Sequence, residues 1–340
     1  MKPIRIAQIG INRHSHAPEI IHTIGIHPEL FELVGYALVE DERETCADKL
    51  EKYGWREKYR ELTLEEILND PTIEAVAVET DEIHLLKYAQ MAADAGKHIH
   101  MEKPGSQNLA DFERLIETVR RNGKTFHIGY MYRYNPLISR AIEDAKNGKF
   151  GQIYSVEAHM SRLDKKATRE WFGSFKGGMM FYLGCHLIDL VLQIQGMPEE
   201  IIPLNTCTGL DGVDTEDLGF AVLRYPNGIS VVRMGGTEVG GFHRRQLVIC
   251  GSERTLEIKP LEASIKDAAP YMQYAEQTDL SSDENRHAVI SQSRSEPFQR
   301  YEAMMIAFAE MVRGERENPY TTEYELELFK VILRCCGMEA

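Results

Sequence analysis

Two groups of residues have types and spacings suited to chemistry. The segment Met101-Glu102-Lys103-Pro104 follows a short run, Lys97 to Met101, that reads as a strand. A lysine at the carboxyl end of a central strand, locked by a following proline, is an unusual way to finish a buried strand. Pro104 fixes its own φ and pushes Lys103 towards an extended conformation. An ammonium held there is partly desolvated, a state suited to polarising or deprotonating a substrate hydroxyl. The second group is Tyr182, His186, Asp189 and Gln193, spaced four, three and four apart within Met179 to Gln195. That spacing places all four on one stripe of a helix. The intervening residues are largely apolar, so the helix is buried and its polar groups need partners. The stripe is therefore an internal hydrogen-bond network or the wall of a site.

A third segment bears on nucleotide binding. The first strand, Ile4 to Ile9, runs into Gly10-Ile11-Asn12-Arg13-His14-Ser15. A dinucleotide fingerprint would read GxGxxG, with a helix N-terminus facing the pyrophosphate. Only the first glycine is present. Asn12 and Ser15 stand at the other two positions, and Asn tolerates left-handed backbone angles better than most residues. The second strand ends at Glu40, where a carboxylate can bind both ribose hydroxyls and repel a 2′-phosphate. This favours NAD, and Arg43 nearby keeps NADP open.

The elements that must position these residues come in two patterns. Up to residue 128 strands alternate with helices: strands at Ile4–Ile9, Leu33–Val39, Ile73–Val78, Lys97–Met101 and Thr125–Ile128, with helices between them. Thr63, with Glu66 three residues on, has the form of a capping box. Such alternation implies a parallel sheet with helices on both faces and its ligands at the carboxyl ends of the strands. From residue 129 onwards, strands follow one another: Ile153–Met160, Ile201–Cys207, Asp217–Tyr225, Gly228–Met234 and Arg245–Cys250. Pro226-Asn227-Gly228 reads as a hairpin turn. Ser281 to Pro297 reads as a polar surface loop, and helices at Phe298–Arg313 and Thr322–Cys336 close the chain. The expected architecture is α/β followed by α+β. A Rossmann-type parallel sheet spans 1–128, and a domain at 129–340 is built on a large, mainly antiparallel sheet with helices on one face.

Glu-Lys-Pro after such a strand, preceded by Ala-Gly-Lys-His, is similar to the Gfo/Idh/MocA oxidoreductases, the family of glucose–fructose oxidoreductase and inositol dehydrogenase. Thr80 and His84 resemble the family's Thr-Pro…His loop, with Asp81 in place of the proline and one residue fewer. Arg133-Tyr134-Asn135-Pro136 resembles the interdomain Arg-x-x-Pro segment. Trp171, Gly177-Gly178 and Gly184-Cys185-His186-Leu187-Ile188-Asp189 resemble the Gly-Gly…Asp-x-Gly-x-His-x-x-Asp segment. The resemblance implies hydride transfer from a CH–OH carbon of a sugar, sugar acid or polyol to NAD, with NADP as the other cofactor. It also implies that Lys103 polarises the hydroxyl and that His186 is the general base, an imidazole being suited to neutral pH. Tyr182 stands where the family has an aspartate, and a phenol donates a hydrogen bond but is no anionic partner for His186. Candidates for cofactor contact are Gly10, Ile11, Asn12, Arg13, Glu40, Thr80, His84, Glu102 and Lys103. Arg133, His159 and Asp189 are candidates for the substrate.

Composition narrows the remaining classes. A net charge of −14 over 340 residues argues against a nucleic-acid partner. No run approaches the ~18 apolar residues of a membrane span, and the N-terminus lacks the form of a secretory signal. A cytoplasmic location is expected. The six cysteines include no CxxC pair, so reduced thiols are expected and no metal is. His98, His100 and Glu102 share a strand face, but the resemblance carries no metal there. A homodimer or homotetramer is the expected assembly. Two other readings stand beside the dehydrogenase: a non-catalytic sugar sensor with an eroded cofactor site, and a lyase or hydrolase that recycles its NAD.

Overall fold

Short apolar runs with no polar alternation are what a strand needs when helices cover both of its faces. In the computed structural model, which describes residues 2–263, 272–277 and 291–339, five short strands form the first sheet, Ala75–Val78 being wholly apolar and each of the others carrying one or two polar residues. They are β1 (Ile4–Ile9), β2 (Phe31–Ala37), β3 (Ala75–Val78), β4 (His98–Met101) and β5 (Phe126–Ile128). All pair in parallel, in the order β2-β1-β3-β4-β5. Residues 60–62 extend the sheet beyond β2: the Tyr36 N–H donates to Arg60 O at 3.0 Å, and the Leu62 N–H donates to Tyr36 O at 2.8 Å. Strand order reverses between β1 and β3, and ligands of such sheets bind outside the carboxyl ends at that point. Gly10, Thr80 and Lys103 follow the strands that end there.

The capping box at Thr63 is formed, with Glu66 N–H donating to Thr63 Oγ1 and Thr63 N–H to Glu66 Oε2. The helix expected over Glu42 to Tyr53 is two pieces, Glu42–Thr45 and Ala47–Tyr53, because Cys46 leaves helical angles at φ −116°, ψ 15°.

The chain divides into two units: residues 1–131 with 301–327, and residues 132–300 with 328–340. This differs from a boundary at 128/129 with every later helix in the second domain. The Glu302–Val312 helix joins the first unit, where Phe308 lies 5.5 Å from the His127 ring and 5.8 Å from the His100 ring, covering one sheet face. Its apolar sequence asks for burial without naming the surface.

The second unit holds an eight-stranded sheet: β6 (Ile153–Ser161), β7 (Glu200–Pro203), β8 (Leu218–Tyr225), β9 (Gly228–Gly235), β10 (Gln246–Gly251), β11 (Thr255–Ile258), β12 (Gln273–Gln277) and β13 (Ser291–Arg294). Their order is β13-β12-β11-β10-β6-β9-β8-β7, antiparallel throughout except for β6 against β9. Pro226 and Asn227 form the turn between β8 and β9. Residues 291–294 are thus a strand and not part of a loop. The rest of that expected loop, up to residue 290, lies outside the described residues. One face of the sheet, including Val156, Ala158, Met160, Ala221, Val232 and Leu247, is buried, and the Cys185–Gln195 helix packs against β6 and β9. Among the described residues, no helix is long and apolar enough to cross a membrane.

Candidate functional site

The first unit presents its chemistry at the strand ends. Gly10 has φ 85°, and a Cβ there would stand 3.0 Å from the backbone of Thr80 and 2.7 Å from its Cγ2. Glycine is what lets the ends of β1 and β3 approach so closely. The following turn is stapled by side chains. Glu42 is buried, and its two carboxyl oxygens accept the N–H groups of Ile11 (3.1 Å) and Val39 (3.0 Å). Burial pushes its pKa up to about 7 against the pull of those amides. Asn12 Oδ1 accepts the His14 N–H at 2.7 Å, and its Nδ2 donates to Asp81 at 3.2 Å. Lys49 Nζ donates to the carbonyls of Asn12 (2.5 Å) and Ser15 (2.9 Å). The two absent glycines are therefore replaced by a braced turn over an ammonium, which keeps the positive potential a pyrophosphate requires. With the Gly10 cradle, these residues fit a dinucleotide.

Glu40 ends the second strand region with φ 50°. Its Oε1 accepts from Lys87 Nζ at 2.5 Å and Tyr88 OH at 2.7 Å, and His84 Nδ1 lies at 3.8 Å. The hydrogen bonds from Lys87 and Tyr88 hold its carboxyl below the usual range, so it stays an anionic acceptor. Arg43 pairs with Glu61. Arg13 is exposed and donates to Thr45 O at 2.9 Å.

β4 delivers Glu102 and Lys103 into the interior, Lys103 being 2% exposed. Glu102 Oε1 accepts the Lys103 backbone N–H at 3.0 Å and lies 3.6 Å from Nζ. Two more buried acids, Glu79 and Glu82, follow β3 on either side of Thr80 and Asp81. Burial raises Glu82 to about 8, opposed by the Lys103 charge. Neither acid belongs to a motif, although a Glu-Thr-Asp-Glu run straight after four apolar residues was visible. Lys49 carries no motif signal either, being one cation on an ordinary helix. His98 and His100 turn elsewhere: His98 Nδ1 accepts the Thr125 N–H at 3.0 Å, and His100 Nδ1 meets His127 Nδ1 at 2.8 Å.

In the second unit, the helix expected to be continuous from Met179 opens with a π-helical turn, Met180–Gly184, before the α-helix Cys185–Gln195. Gly178 leads into it at φ 43°, where a Cβ would stand 2.1 Å from Glu216 O. The wider turn divides the polar stripe among different neighbours. Tyr182 packs edge-on to Trp171 at 5.1 Å, with the Arg162 guanidinium 5.2 Å over its ring. His186 packs edge-on to Tyr132 at 5.3 Å. Asp189 takes a bidentate fork from Arg133, Nε at 2.9 Å and Nη2 at 2.8 Å, and Gln193 Nε2 donates to it at 2.9 Å. Arg133 and Asp189 are thus engaged with each other. His159 stands in β6 between Ala158 and Met160, so its side chain emerges on the sheet face opposite to theirs, away from the Cys185–Gln195 helix. There it contacts Arg233 and lies 3.8 Å from Glu238. Burial and the Arg233 charge push it down to about 4, so it is neutral. Arg162 and Arg233 carry no motif signal.

Comparison with known proteins identifies the family of both parts of the chain. Residues 4–130 match the family profile of an oxidoreductase family with an NAD-binding Rossmann fold, and residues 139–257 match the GFO/IDH/MocA C-terminal domain. Myo-inositol 2-dehydrogenase of Thermotoga maritima is 25% identical over 71% of this chain and 71% of its own. Aldose-aldose oxidoreductase from Caulobacter crescentus, solved with glycerol, superposes with a TM-score of 0.76 at 20% identity, covering 98% of each chain. UDP-N-acetylglucosamine 3-dehydrogenase from Acidithiobacillus ferrooxidans gives 0.76 at 15% identity, covering 100% of this chain and 98% of that one.

Proposed function

The chain belongs to the GFO/IDH/MocA oxidoreductase family, and from that premise we propose that it oxidises a CH–OH carbon of a sugar, sugar acid or other polyol with NAD. The observation that carries this reading is Lys103, an ammonium buried beside Glu102 at the carboxyl end of β4, in a sheet whose switch point is shaped by Gly10. When bound, the nicotinamide supplies the hydride acceptor. Gly10 and the turn braced by Lys49 hold the pyrophosphate. The anionic Glu40 takes the ribose hydroxyls and disfavours a 2′-phosphate, which supports NAD over NADP. Lys103 donates to the substrate hydroxyl oxygen and lowers the cost of its negative charge. His186 accepts the hydroxyl proton. Tyr182, beside Arg162, donates to a second substrate oxygen.

The test is a screen of sugars, sugar acids and inositols for NAD reduction, run beside an NADH titration read by tryptophan fluorescence. Binding undetectable at millimolar NADH would leave only the sensor reading. His186→Ala is expected to lose ~10²-fold or more in turnover while keeping its NADH affinity. An unchanged rate removes His186 from the role of base.

We also propose that the chain is a homodimer or homotetramer, paired through the open face of the second sheet. Ile229 is exposed there, and Phe220, Val222, Val231 and Val248 are half-buried on that face, which the Cys185–Gln195 helix does not cover. Charges on this face, such as Val231→Lys with Val222→Glu, are expected to shift sedimentation to the monomer. A wild type that already sediments as a monomer ends that proposal.

A further inference from the structure

One carboxyl of the first unit has no role in binding or chemistry so far. Strand register sets Gln8, Ala77, His100 and His127 side by side on β1, β3, β4 and β5. Side chains of a strand alternate, so the next residues on that face are Glu79 and Glu102. The ladder reaches them, with Glu79 N–H donating to Ile9 O at 2.8 Å and Glu102 N–H to Val78 O at 2.9 Å. Glu79 is 0% exposed, and its Oε1 lies 3.9 Å from His100 Nε2. Among the described residues, both carboxyl oxygens of Glu79, His100 Nε2 and Gln8 Oε1 have no hydrogen-bond partner. A buried carboxylate left that way is far costlier than a neutral carboxyl.

The groups facing Glu79 come from several elements. β4 contributes His100, Glu102 and Lys103, the Ala47–Tyr53 helix contributes Lys49, and the Ala17–Ile26 helix contributes Glu19. Burial raises Glu79 well above the usual carboxylate range and Glu102 adds to this, while Lys49 and Lys103 oppose it. His100 is pushed down to about 3 by burial and brings no charge. Glu102 accepts the Lys103 N–H and lies beside its ammonium, whereas among the described residues Glu79 has no donor. A positive charge arriving at the ends of β3 and β4 therefore acts on Glu79 as Lys103 does, towards ionisation.

We propose that Glu79 senses the charge of the bound nicotinamide: it releases its proton when the cationic oxidised ring binds and keeps it when the neutral reduced ring binds. This rests on the nicotinamide-cofactor reading above. The step is a proton transfer alone: the Glu79 O–H bond breaks, the proton leaves to solvent, and the carboxylate balances the ring. No bond to the cofactor forms. By linkage, NAD+ binding strengthens as pH rises while NADH binding does not.

The experiment is calorimetric titration of the intact protein with NAD+ and with NADH, in buffers of differing ionisation enthalpy, from about pH 6 to 9. Expected is a larger fraction of a proton released per chain by NAD+ than by NADH. The ratio Kd(NAD+)/Kd(NADH) should fall with pH, at most about tenfold per unit. In Glu79→Gln both differences should vanish. Equal proton exchange by the two cofactors in the wild type overturns the proposal, whether or not the variant folds. A difference that survives Glu79→Gln and is lost in Glu82→Gln overturns it as well, moving the role to Glu82. Binding of neither cofactor removes the underlying reading together with the proposal.

Discussion

Lys103→Met is expected to lose about 10³-fold in turnover, within the ~10²–10⁴ range a positioned proton-handling group contributes, while the protein stays folded. Methionine fills the volume of the lysine stem, and Lys103 is almost wholly enclosed. Burial already holds Glu79 and Glu82 towards their neutral forms, so loss of the ammonium strands few anions, which limits the damage to the fold. The loss should fall equally on kcat and kcat/KM, because the ammonium matters most as charge develops on the hydroxyl oxygen. NADH affinity should change by only a few-fold. Lys103→Arg should recover little, since a planar fork does not replace a compact point charge in so tight a space. Activity within tenfold of wild type for the methionine variant would show that Lys103 is a structural cation paired with Glu102.

The second large effect is on stability. Arg133→Met should cost about 3–5 kcal/mol, the penalty for stranding one member of a buried ion pair. The side chains of Arg133 and Asp189 are 0% and 1% exposed. The guanidinium supplies two of the hydrogen bonds to Asp189, and Gln193 supplies another. Melting of the domain should fall by roughly 10 °C on that basis. The double variant Arg133→Met with Asp189→Leu should recover most of the loss, because replacing both partners by apolar groups removes the unpaired charge. A single variant that melts like the wild type but raises KM would instead make Arg133 a substrate contact.

These two predictions separate what motif and geometry each contribute to the site. Lys103 was identifiable from Glu-Lys-Pro and from a strand that ends in a charge. The same motifs point to Arg133 and Asp189 but not to their mutual fork, because the residues lie 56 positions apart and belong to different elements. His159 lies on the sheet face opposite to the helix that carries His186. Tyr182 belongs to the stripe by count, yet the π-helical turn gives it Trp171 and Arg162 as neighbours while His186 meets Tyr132. A one-residue change in hydrogen-bond span alters which side chains share a face, and no composition or periodicity announces it.

The order of the elements, the parallel first sheet and the residues at its strand ends were determined by the sequence alone, because burial on both faces and local turn chemistry act over a few neighbouring residues. The polar strands β12 and β13 at one end of the second sheet were not legible, since strands there need backbone pairing and not an apolar pattern. Tertiary structure decided the placement of the Glu302–Val312 helix over β4 and β5, the bracing of the nucleotide turn by Glu42 and Lys49, and the burial of Glu79 beside His100. Each depends on which distant groups surround a side chain in a low-dielectric interior, where a neighbour's charge or a missing donor outweighs intrinsic preference.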